Sequence, residues 1–71
     1  MGKLYEIVRE IDRVIHERDL PIFMTKGRIS IQSGFPLGMV RKDTPDDAQK
    51  LEKLLAAARS VLGDDFTGWA A

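Results

Sequence analysis

Apolar residues recur at three- and four-residue intervals from the start of the chain: Leu4, Ile7, Val8, Ile11, Val14 and Ile15. That spacing predicts an amphipathic helix over Lys3 to Arg18. Its opposite face carries Glu6, Arg9, Glu10, Asp12, Arg13 and Glu17, several of them three or four apart with opposite sign. The helix is expected to stop near Arg18 or Asp19, because Pro21 disfavours helical geometry at Leu20.

The period then shifts to two. Ile22 and Met24 alternate with Phe23 and Thr25, and after Lys26-Gly27, Ile29 and Ile31 alternate with Arg28, Ser30 and Gln32. Alternation on both sides of a Gly-containing turn predicts two antiparallel strands. Ser33-Gly34 breaks the pattern, and Leu37 to Arg41 offers a weaker third strand after Phe35-Pro36.

A second helix is announced by Thr44 as N-cap, Pro45 at the first helical position, and Asp46 and Asp47 at the positive end of the dipole. Leu51, Leu54, Leu55, Ala58, Val61 and Leu62 form its apolar stripe, and Gly63 closes it. Phe66 and Trp69 lie in the tail that follows, from Asp64 to Ala71.

The expected fold class is therefore α+β, a two-layer α-β-β(-β)-α unit with both helices packed on one face of a small antiparallel sheet. Residues 1–66 would form a single domain and 67–71 a C-terminal tail. The expected core takes both helical stripes together with Ile22, Met24, Ile29 and Ile31. The other sheet face would then carry Phe23, Thr25, Arg28, Ser30 and Gln32, and these five are the candidate binding residues.

Composition narrows the function classes. A chain of 71 residues without cysteine holds one small core and has no disulfide or thiolate metal site to staple it. Self-association as a homodimer is one route to added stability. Eleven basic and eleven acidic residues cancel, leaving no overall field to draw in a polyanion. No run approaches the ~18–20 apolar residues of a membrane span, and the first residues lack the apolar stretch of a signal peptide. The expectation is a cytoplasmic protein without a membrane partner.

Candidate chemistry is sparse. His16 is the only histidine, and neither it nor Asp12 and Glu17 form a known ligand pattern. Asp46 with Asp47 point about 100° apart on a helix, and capping explains them. Asp64 with Asp65 follow a helix end and suit a solvated exit. Gly34-Phe-Pro-Leu-Gly38 lacks phosphate-loop spacing and fits a turn with Phe35 and Leu37 tucked inward. Ser30, Ser33 and Ser60 have no base arranged for nucleophilic attack.

No enzyme, cofactor or metal site is expected. The leading expectation is a small protein-interaction or self-association module, acting on a protein partner through the open face or edge of the hairpin. Nucleic-acid binding is the alternative. The helix-strand-strand-strand-helix order is similar to that of the double-stranded-RNA-binding domain, in which a lysine cluster opening the second helix grips phosphates. Here that position reads Thr44-Pro45-Asp46-Asp47, with Arg41, Lys42, Lys50 and Lys53 nearby. The resemblance is one of topology, which alone does not carry function.

Overall fold

The first helix begins where a side chain from far along the sequence meets its free amides. Asp46 Oδ1 accepts hydrogen bonds from the backbone N–H of Lys3 at 2.7 Å and of Leu4 at 3.3 Å. This carboxylate closes the N-terminus of α1, Lys3–Glu17, whose own N-cap, Gly2, has no side chain to do so. Gly2 is held so close to the 43–46 loop that a Cβ there would lie 2.8 Å from the Thr44 carbonyl. The computed structural model describes residues 2–63 and 66.

The C-terminus of α1 is a Schellman turn. The N–H of Leu20 donates to the Ile15 carbonyl at 3.0 Å and that of Asp19 to the His16 carbonyl at 3.3 Å. Asp19 takes the left-handed conformation, φ 53°, that such a turn requires and that glycine occupies most readily. Leu20 packs against the core, as the hydrophobic partner of this motif does. Arg18 then extends to the far end of the last helix, where Nη1 donates to the Leu62 carbonyl at 2.7 Å.

Residues 22–33 are helical, which overturns the α+β expectation and its antiparallel sheet. They form α2, Ile22–Ser33, and no strand occurs among the described residues. Thr25 N–H donates to the Pro21 carbonyl at 3.0 Å, so the proline stands just ahead of the helix, where its missing N–H costs nothing. Gly27, expected in a hairpin turn, lies in mid-helix. The helix ends at Gly34, φ 83°, whose N–H donates to Ser30. An isolated hairpin is marginal in water, whereas a helix satisfies its backbone within itself and needs only one ridge to dock.

The expected third strand is instead a single 3-10 turn, Leu37–Met39. The chain is pinned back onto α2 by Ser30, whose Oγ accepts from the Leu37 N–H at 3.2 Å, and by Ser33, whose Oγ lies 3.2 and 3.3 Å from the Ser30 and Phe35 carbonyls. Leu37 is thereby buried and Phe35 packs against the core.

The last helix, α3, is Ala48–Leu62, and it starts later than expected. Asp47, not Thr44, is its N-cap: Oδ1 accepts from Gln49 N–H at 2.9 Å and Lys50 N–H at 3.2 Å. The Thr44 hydroxyl accepts from Arg41 N–H at 2.8 Å and shapes the preceding turn.

Because Asp46 precedes α3 and caps the start of α1, while Arg18 follows α1 and meets the end of α3, these two helices run parallel. The chain thus goes up, down and up. α2 lies most closely along α3, a helix whose buried residues include the small Ala57 and Ala58. The core joins Leu4, Ile7, Val8, Ile11, Val14 and Ile15 of α1 with Ile29, Leu37, Leu54, Ala57, Ala58, Leu62 and Phe66. Leu51, Leu55 and Val61 are partly buried at its edge. Ile22, Met24 and Ile31, expected inside, are exposed. Trp69 with residues 67–71 and the Asp64–Asp65 pair lie outside the described residues.

Two substitutions test the helix ends. Asp46→Ala is expected to lower stability by about 1 kcal/mol and Asp46→Asn by less, since Asn keeps the acceptor. Asp19→Gly is expected to raise it by up to about 1 kcal/mol through relief of the left-handed backbone. Urea denaturation measures both; an unchanged midpoint for Asp46→Ala would contradict the cross-chain cap.

Candidate interaction surface

The inward ridge of α2 is narrow. Thr25, Ile29 and Ser33, each four residues apart, are buried on one side, and only Ile29 among them is apolar. Lys26, half-buried, reaches Asp12 on α1, with Nζ 3.0 Å from Oδ1. This fixes the rotation of the helix from a second direction.

The outward side is therefore the greasy one. Phe23 is 92 % exposed, Ile31 82 % and Met24 69 %. Phe23, Gly27 and Ile31 are spaced four apart, and Met24 lies three before Gly27, so the four residues share one face of the helix. Single exposed hydrophobics are ordinary, but a contiguous group is not. Phe23, Met24 and Ile31 together present on the order of 500 Å², toward the upper end of the largest patch on a typical monomer. At the C-terminal end this face meets a shallow depression of about 390 Å³, lined by Ser30, Ile31, Gly34, Phe35 and Pro36.

The five sequence-predicted residues separate on the helix. Phe23 is on the apolar face. Arg28 is exposed, four residues after Met24 and three before Ile31, so its cation borders that face. Gln32 is exposed beside Arg28, further from Phe23. Thr25 is turned into the core, and half-buried Ser30 is committed to the Leu37 amide. Met24, Gly27 and Ile31 are the residues that the strand assignment missed. Their signal was the four-residue spacing of Phe23, Gly27 and Ile31, together with the absence of any proline between 22 and 33.

Elsewhere among the described residues Ile22 and Met39 are also exposed, while the outer face of α1 is charged. On α1, Arg13 lies between Glu10 and Glu17 and bonds both. The Arg13 guanidinium, by hydrogen bonding first and charge second, holds the Glu10 carboxyl below the usual carboxylate range. A second open depression, of about 470 Å³, lies between Arg9, Asp12, Arg13, Ile15, His16 and Ile22. Among the described residues no group of three or more His, Asp or Glu side chains is placed to hold a metal ion, and no described helix is long and apolar enough to cross a membrane.

No family model, curated protein or solved structure matches this chain. The similarity to the double-stranded-RNA-binding domain rested on the order of strands and falls with them. Asp46 and Asp47, at the position of that family's lysine cluster, are occupied as helix caps.

The two sides of α2 are expected to respond oppositely to truncation. Ile29→Ala should cost about 2–5 kcal/mol, whereas Phe23→Ala and Ile31→Ala should each change stability by less than about 0.5 kcal/mol. Urea denaturation of the monomer at low concentration decides it. A loss at Phe23 comparable with that at Ile29 would place this face in the core.

Proposed function

We propose that this chain is a non-catalytic protein-interaction module whose docking surface is the outward face of α2. The observation that carries the proposal is the inversion of that helix. Its buried ridge is Thr25-Ile29-Ser33, while Phe23, Met24 and Ile31 are given to solvent. A helix that served only to close a three-helix core would gain more from the opposite arrangement, since burial of a large apolar side chain contributes about 1.5–3 kcal/mol. Aromatic and methionine side chains bordered by an arginine also match the composition of interface centres.

An amphipathic segment of a partner would lay its apolar positions over Phe23 and Ile31 and exclude water from Gly27. The depression beside Phe35 and Pro36 offers room for one anchoring side chain at the end of the contact. A cytoplasmic setting, expected from a cysteine-free chain, goes with this reading. The nucleic-acid alternative gains nothing from the fold: of the cations on α2, Arg28 borders the apolar face and Lys26 is paired with Asp12, and the loop before α3 sets Arg41 and Lys42 against Asp43, Asp46 and Asp47.

The test is affinity capture from the native host with the wild type and a Phe23→Glu/Ile31→Glu variant, after thermal melts have established that both fold. A partner retained by the wild type and lost by the variant supports the assignment. Equal retention by both would overturn it.

A further inference from the structure

Gly27 is the residue on α2 that the monomer leaves unexplained. It sits in the middle of a 12-residue helix, where glycine is less stable than alanine. A Cβ built there meets nothing within 4 Å. Its backbone φ is not among the positive ones, so neither space nor conformation within the monomer requires glycine. What a missing side chain does provide is close approach of another backbone to the helix surface.

The pattern around Gly27 is symmetric. Phe23 precedes it by four residues and Ile31 follows it by four, so each lies about 6 Å along the axis from the glycine on the same face. A two-fold axis through Gly27 therefore brings Phe23 of each copy over Ile31 of the other, with the two glycines facing each other at the crossing. Such self-complementarity is what an isologous interface needs. Phe23, Met24 and Ile31 provide on the order of 500 Å² per copy, about 1,000 Å² over two copies, which is the lower bound of a specific interface.

Resting on the reading of α2 as a docking surface, we infer that its occupant is a second copy of this chain, with the two α2 helices packed antiparallel about a dyad at Gly27. The zero net charge of the chain puts no overall repulsion between copies. Locally, the two Arg28 side chains come to the same flank on either side of the dyad. Their repulsion makes the dimer tighten as salt rises. A partner that offered Arg28 a carboxylate would instead bind more weakly in salt.

Sedimentation equilibrium of the wild-type chain, run from low micromolar to about 1 mM and at two salt concentrations, tests the inference. The expected result is a monomer–dimer equilibrium that shifts toward dimer in high salt. Gly27→Leu should weaken dimerisation by more than about tenfold while leaving helix content and melting temperature of the monomer equal or higher. Phe23→Glu provides an independent block.

The chain contains no cysteine, so engineered ones report geometry directly. Mixed Phe23→Cys and Ile31→Cys chains should cross-link to each other in preference to themselves. A wild type that stays monomeric at about 1 mM, or a dimer unaffected by both Gly27→Leu and Phe23→Glu, would overturn the inference. Preferential self-cross-linking of Phe23→Cys would overturn the antiparallel register. If the wild type is monomeric but host capture still depends on Phe23 and Ile31, self-association falls and the docking face stands.

Discussion

Parallel neighbouring helices set their macrodipoles side by side with like ends together, and α1 and α3 form such a pair. The ends of these helices carry the compensation. At the amino pole one acidic dipeptide serves both helices, Asp46 on the amides of α1 and Asp47 on those of α3. At the carboxyl pole Arg18 leaves α1 and donates to the last carbonyl of α3. Anions at amino ends and a cation at a carboxyl end are each the favourable choice, worth about 0.3–1 kcal/mol apiece at exposed positions. Besides this energy, the two ties set the register of α1 against α3, which aligns their apolar stripes.

The place of α2 follows from that pairing. With α1 contributing six buried aliphatic side chains and α3 a row of Leu and Ala, the third helix needs only a thin ridge to close the core. Ile29 supplies its apolar centre, and Thr25 and Ser33 flank it with short side chains that permit close packing along α3. Lys26 and Asp12 then lock its rotation from α1. The wide apolar sector of α2 is consequently turned outward, and the functional proposal grows from this geometry rather than from any reactive group.

Both flanking helices were legible in the sequence because each has a long three-to-four period, although the Thr44-Pro45 start read for the second lies ahead of its actual cap, Asp47. All six stripe residues of α1 are buried, and the Pro21 boundary falls between α1 and α2. The middle segment was misread for a physical reason. In residues 22–32, Ile22 and Met24 fall at a period of two before a glycine and Ile29 and Ile31 after it, which mimics a half-buried hairpin even though Phe23 sits among the residues assigned to the other face. The helix instead obeys a four-residue period carried by Thr25, Ile29 and Ser33, two of which are polar and do not register as core. Phe23 and Arg28 were picked from a sheet face that does not exist, and both are exposed on the helix. Thr25 and Ser30 are turned to structural work. The cap at Asp46 was not legible at all, since it joins residues more than forty positions apart.

The central claim is that residues 22–33 form one helix with Ile29 inward and Phe23, Met24 and Ile31 outward. Solution NMR at low concentration, where any self-association is least populated, tests it most directly. Helical carbon shifts and i to i+3 contacts are predicted to run without a break through Gly27. The Ile29 methyls should touch residues of α1 and α3, and the Phe23 ring should show no contact with the core. Cross-strand contacts between residues 22–25 and 28–32, or a Phe23 ring packed against the α1 stripe, would contradict the account.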